Sequence, residues 1–162
     1  MGVDQQVRVT YHPRSKMVKS QGGLLTTRTE TTTHTQRITV KNTRTSPLPR
    51  LIIRDQIPVS SDERIKIVLL EPKELPGVGM DGTKTKRGGS NVNLSKEVPV
   101  AKGIRARWFT KDDEEVETET TSGADTPQGI IEWVSEFDAG RSADISMVWE
   151  VTAPVSLNWG PL

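Results

Sequence analysis

No cysteine occurs in the 162 residues, which excludes disulfides, thiolate metal sites and cysteine nucleophiles. Histidine is nearly absent too, with only His12 and His34, and no His-x-x-x-His pair exists to hold zinc. No serine lies in a Gly-x-Ser-x-Gly turn. Aromatics make up 4% of the chain: one Tyr, two Phe and four Trp. No apolar run approaches the roughly 18 residues of a membrane helix. The opening MGVDQQVRVTYHPRSK lacks the apolar centre of a secretory signal. The expectation is a soluble, cytoplasmic protein, with signal-independent release left open. Leu, Ile, Val and Phe together number 38, roughly 23%, just above the roughly 20% below which chains stay disordered. A lean core follows.

Helical periodicity is missing, and ten prolines and thirteen glycines divide segments that alternate with period two. Val7, Val9 and Tyr11 share a face of a first strand. Met17–Gln21 and Leu24–Arg28 flank Gly22-Gly23, a hairpin signal. As one strand, Leu24–Asn42 exceeds the usual 3–10 residues, so a break or bulge is expected among Thr31, Thr32 and Thr33. Within it, Ile38 and Val40 face inward. Leu51–Ile57, closed by Pro58, and Arg64–Leu70 come next, the latter expected to be covered on both faces. A long loop spans about 71–97. Val98–Phe109, Glu114–Thr120, Gly129–Val134 and Ala143–Thr152 complete the strands, the last with Ile145, Met147, Trp149 and Val151 inward after a turn at Asp138–Arg141. Seven to nine short strands predict one all-β domain over 1–162, an antiparallel, immunoglobulin-like β-sandwich, with a closed barrel as the alternative.

The charge is unevenly laid out. Residues 1–110 carry 20 Lys/Arg against 9 Asp/Glu, and residues 111–162 carry 2 against 12. Either the two parts neutralise each other within one fold, or they orient the pairing of two subunits.

Motif by motif, chemistry recedes. Gly77–Gly82 spells a dinucleotide loop, but Pro76 precedes it and no helix follows. The acidic run Asp112–Glu119 lacks the oxygen spacing of a calcium loop. Alternating Thr27, Thr29, Thr31, Thr33 and Thr35 suit a solvated edge strand. Lys84, Lys86, Arg87, Lys102, Arg105 and Arg107 beside Trp108 and Phe109 form a basic, aromatic stretch, yet the adjacent acidic run argues against nucleic acid. The tail 154–162 is apolar, and Leu157 and Trp159 must dock on the chain's own fold or on a neighbour. Arg105, Arg107, Trp108, Leu157 and Trp159 are therefore the candidate partner contacts. No catalytic residue, cofactor or metal is expected.

Three stretches in order carry a resemblance: Arg8–Pro13, Gln36–Arg44, and Asp55–Ser60 leading into Glu63–Ile67. Gly129–Trp133, Asp138–Gly140 and Val151–Pro154 extend it. Together they resemble the C-terminal domain of unknown function of the mucoidy-inhibitor A-like family, in particular its fungal members. The resemblance implies immunoglobulin-like β-structure and no known activity. It also implies an upstream coiled-coil part, which this sequence lacks before Met1. A sheet edge or apolar face left open by that absence favours self-association. Two functions are thus expected in turn: a non-enzymatic module that forms a homo-oligomer, as a dimer, or a small lectin binding glycans through exposed Trp.

Overall fold

The computed structural model describes residues 6–22, 28–73, 75, 97–109 and 129–157. Among them are nine strands and no helix. They are β1 (Val7–Tyr11), β2 (Ser15–Gln21), β3 (Thr29–Asn42), β4 (Leu48–Gln56), β5 (Lys66–Glu71), β6 (Val98–Ala101), β7 (Ile104–Trp108), β8 (Ile130–Phe137) and β9 (Ser142–Pro154). All pairings are antiparallel. Sheet A has five strands in the order β1-β3-β9-β5, with β2 also on β3, and sheet B has four in the order β4-β8-β7-β6. The two pack around one apolar core, a β-sandwich as the alternation predicted.

The long Thr-rich segment does not break. β3 runs unbroken through Thr31, Thr32 and Thr33, paired with β9 from Thr29↔Pro154 to Lys41↔Ser142. A strand of 14 residues, about 46 Å at roughly 3.3 Å each, holds because its other edge carries two short strands in series. β1 covers Ile38–Asn42 and β2 covers Thr29–Thr35. Between them Gln36 and Arg37 receive the connecting turn: His12 N donates to Arg37 O at 3.0 Å, and Gln36 Nε2 donates to His12 O at 2.8 Å. The row Thr29–Thr35 is accordingly the outer face of a central strand, not an edge. Thr31 and Thr152 hydroxyls bond at 2.9 Å and Thr33 Oγ1 donates to Glu150 at 3.0 Å.

Other boundaries moved for local reasons. β2 and β3 pair as the expected hairpin from Gln21↔Thr29, and the start of its second arm at Leu24 lies outside the described residues. β4 begins at Leu48 and tolerates Pro49 at a bulge between Leu48 and Leu51. Val98–Phe109 is two strands, because Gly103, at φ +70°, turns the chain where an added Cβ would stand 3.0 Å from Glu136 O. On β5 Val68 is half exposed, so cover on both faces is not found. The expected strand Glu114–Thr120, the glycine motif at Gly77–Gly82 and nearly all of the expected loop lie outside the described residues.

Inward positions come mostly from period two: Ile38 and Val40 on β3, Ile53 on β4, Ile131, Trp133 and Phe137 on β8, and Ile145, Met147, Trp149 and Val151 on β9 are all buried. Each contributes about 1.5–3 kcal/mol by leaving water. Asn42 pins the sheets at one end, its Nδ2 donating to Ser46 O at 3.0 Å and Asp138 O at 3.1 Å. Towards the other end the inner face of β3 turns polar, with Thr32, His34 and Gln36 buried. The Thr32 hydroxyl has no hydrogen-bond partner among the described residues. Replacing it by an isosteric methyl removes an uncompensated desolvation, so Thr32→Val is expected to stabilise the domain by about 1 kcal/mol in urea unfolding.

Candidate functional site

Period two sets Val7, Val9 and Tyr11 of β1 on the inward side of sheet A, opposite Asn42, Val40 and Ile38. Lys16 and Val18 of β2 stand on that same side, opposite His34 and Thr32. Val7 packs against the core, and the others are left largely open to water. Val9 is 42% exposed, Tyr11 54% and Val18 48%, and Met17, on the opposite face of β2, 60%. Every residue of β2 is exposed. β1 and β2 thus form an apolar ledge that overhangs the sandwich. Its outer edge pairs with no strand among the described residues. Tyr11 marks where the ledge meets sheet B: partial burial, then the charge of Asp55, raises its phenol above the ordinary 10.0.

The middle of the ledge is basic and aromatic. His34 stacks on Trp149 with ring centroids 5.2 Å apart and planes 11° from parallel. The Arg14 guanidinium carbon stands 5.1 Å from the Trp149 ring centroid. His34 is 7% exposed, and its Nδ1 has no hydrogen-bond partner among the described residues. Burial, then Arg14, then Lys16 hold its pKa below the ordinary 6.5. The outward side carries the other histidine. Thr39 Oγ1 donates to Asp144 Oδ1 at 2.6 Å, so His12 Nε2, 2.7 Å from Thr39 Oγ1, donates to the hydroxyl. An imidazole spent as a donor is not the base of a nucleophilic triad.

A second cluster lies on the outward face of sheet B. Glu132, at 0% exposure, receives Arg54 Nε at 2.8 Å and Arg107 Nε at 2.6 Å. The register Arg54↔Glu132↔Arg107 across β4, β8 and β7 builds this clamp, and Arg54 also lies over Phe109 at 4.3 Å.

Of the sequence-derived contacts, Arg107 belongs to that clamp. Arg105, half exposed, bridges Glu97 at 3.2 Å and Glu136 at 3.3 Å. The two share a strand but face opposite the inward side chain of Trp108, which is 0% exposed and lies in the core. Trp108 therefore offers no ring to a partner or a sugar, and Trp133 and Trp149 are buried likewise. Leu157 is half-buried in a turn, its N–H on Pro154 O at 3.0 Å. Trp159 and the lysines of the basic stretch at 84 and 86 lie outside the described residues. The ledge was half visible in sequence as the Val7-Val9-Tyr11 face. Arg14, Lys16 and His34 were not, because only strand register brings them together.

Two outcomes follow. Glu132→Gln removes the charge between two arginines and is expected to cost about 2–3 kcal/mol in denaturant unfolding. For His34 the folded pKa lies below the unfolded one, so the unfolded chain takes the proton first. Stability is expected to fall as pH drops below about 6.5, flattening once the folded imidazole is also protonated. His34→Gln should remove that segment of a melting-temperature profile.

The family model DUF4139, a domain of unknown function, matches residues 1–82. No curated protein and no solved structure matches the chain significantly.

Proposed function

The chain belongs to the DUF4139 family of domains of unknown function, and on that premise we propose that it is a non-enzymatic, immunoglobulin-like interaction module that self-associates through the β1–β2 ledge. The observation that carries the reading is the exposure of Val9, Tyr11, Met17 and Val18 on two strands that overhang the sandwich. Apolar area held in water at an unpaired sheet edge is stabilised by a partner that covers it. Charge supports the same reading. The ledge is basic, with Arg8, Arg14, Lys16 and Lys19, whereas residues 111–162 carry 12 Asp/Glu against 2 Lys/Arg. A two-fold dimer can place each ledge on the acidic part of the other subunit, once in each direction. The resemblance to the C-terminal domain of the mucoidy-inhibitor A-like family, in its fungal form, agrees with a domain that works by contact. Cytoplasmic residence belongs to the same proposal.

The non-enzymatic part rests on how the two histidines are used, one donating to Thr39 and one stacked on Trp149. A glycan-binding reading needed exposed indoles. With Trp108, Trp133 and Trp149 buried, it is left with Trp159 alone and is not favoured.

Light scattering at tens of micromolar protein tests the proposal. A dimer is expected at low salt and a shift toward monomer at high salt. The double variant Val9→Ser/Tyr11→Ser should weaken the dimer at least tenfold, about 1.4 kcal/mol, with its β-sheet circular dichroism retained. A strict monomer at low salt, or a dimer indifferent to the variant, contradicts it.

A further inference from the structure

We propose that His34 and Arg14 at the Trp149 ring, with Lys16 opposite His34 on β2, form a receptor for a side-chain carboxylate of an acidic, extended protein segment laid along the ledge. The proposal names the chemistry the ledge accepts. It deepens the interaction reading without needing the partner to be a second copy.

The first argument is missing counter-charge. Arg54 and Arg107 meet Glu132, Arg64 meets Asp62, and Arg105 meets Glu97 and Glu136. Arg14 and Lys16 meet no carboxylate among the described residues, although Arg14 stands over the Trp149 ring and Lys16 lies opposite His34. On β9, Trp149 is the partner of His34, and the next residue, Glu150, is turned to the opposite face, where it holds Thr33. On β3 the next acid on the His34 face is Glu30, four residues along, about 13 Å at roughly 3.3 Å per residue. Two cations and an imidazole thus share a corner to which no anion comes among the described residues.

The second argument is the buried, unpartnered polar side chain at its centre. An imidazole nitrogen out of water and without a hydrogen bond is a cost that a native structure keeps for a reason. The Thr32 hydroxyl, two residues along the same face, is unpartnered as well. An arriving carboxylate can accept from the guanidinium fork, the ammonium and the imidazole N–H, and charge-assisted bonds of this kind are about twice as strong as neutral ones. Stacking on Trp149 holds the guanidinium plane ready.

The third argument selects a peptide over a free anion. Val18 lies on the same inward side of the ledge as Lys16, and Tyr11 lies on that side beyond Arg14, both about half exposed. An extended segment presents alternate side chains to one face. One acidic residue flanked by apolar ones at that spacing meets the corner and its two apolar neighbours, while the edge of β2, unpaired among the described residues, supplies main-chain groups.

Proton linkage supplies the readout. The charges acting on His34 are Arg14 and Lys16, both unfavourable to its protonation. A bound carboxylate opposes them, so binding is expected to raise the His34 midpoint and to strengthen as pH falls through it. His12, the other histidine of the chain, bonds to Thr39 on the outward side and serves as internal reference.

The experiment is an NMR titration of the histidine Cε1–H resonances of the full chain. Its three ligands are an acetylated (Val-Glu)3 peptide, a (Val-Lys)3 peptide and inorganic phosphate. The expected result is that (Val-Glu)3 shifts His34 and raises its midpoint while His12 stays put. Arg14→Gln and Lys16→Gln, both at exposed positions, should each weaken the peptide about five- to tenfold. Lys102→Gln, in the β6–β7 turn, should leave it unchanged. No His34 response to (Val-Glu)3, or an equal response to (Val-Lys)3, overturns the receptor. Phosphate binding as tightly as the peptide overturns the choice of a protein segment. Light scattering reads self-association separately, so either proposal can fail alone.

Discussion

The ladder between β3 and β9 is the constraint on which the rest of the molecule depends. It is longer than the strands of sheet B that pack on it, since β8 has 8 residues against 14 and 13. The far end of the ladder is nevertheless buried at Thr32, Val151 and Ala153, so what meets water is the flank of sheet A beyond β3. β3 also has to be paired on its second edge along its whole length. One short strand cannot do this, and the chain lays down β1 and then β2 in series, joined by a turn held on Gln36 and Arg37. The two-strand ledge is therefore a consequence of strand length, and the exposure of Val9, Tyr11 and Val18 comes from its position at the edge of sheet A. The family match ends at residue 82, yet β9 lies between β3 and β5 and completes sheet A from outside the matched stretch. The matched part is not a closed unit of structure by itself.

Charge is handled differently on the two sheets. On sheet B a wholly buried carboxylate is clamped by two arginines across three strands, which satisfies it and fixes the register of β4, β8 and β7 together. Breaking such a group is costly even where the intact pair contributes little. On sheet A the basic groups near Trp149 meet no acid among the described residues, and the buried polar atoms beside them find no partner there either. The first arrangement is finished within the chain. The second is open.

Period-two alternation made the fold class and most of the core legible: Ile38, Val40, Ile145, Met147, Trp149 and Val151 were placed inward from spacing alone, and all are buried. What alternation does not encode is which strand lies beside which. The Thr row was read as an edge because β-branched polar residues suit one, but β9 pairs on one side and β2 on the other. The turn at Gly103 was missed because Val98–Phe109 alternates smoothly enough to pass for one strand, and a single glycine carries the whole signal. Trp108 was grouped with its basic neighbours because adjacency in sequence hides the fact that Arg107 and Trp108 point to opposite faces. The Glu132 clamp and the His34 corner are products of register, and no local spelling announces them.

Backbone hydrogen exchange measured at two protein concentrations, with the chain otherwise unchanged, tests the central claim that the ledge is the surface which partners cover. The account predicts that raising the concentration slows exchange in β1 and β2 while β8 and the interior of the β3–β9 ladder stay as they were. Unchanged exchange in β1 and β2, or protection gained instead on the outward face of sheet B, would contradict it.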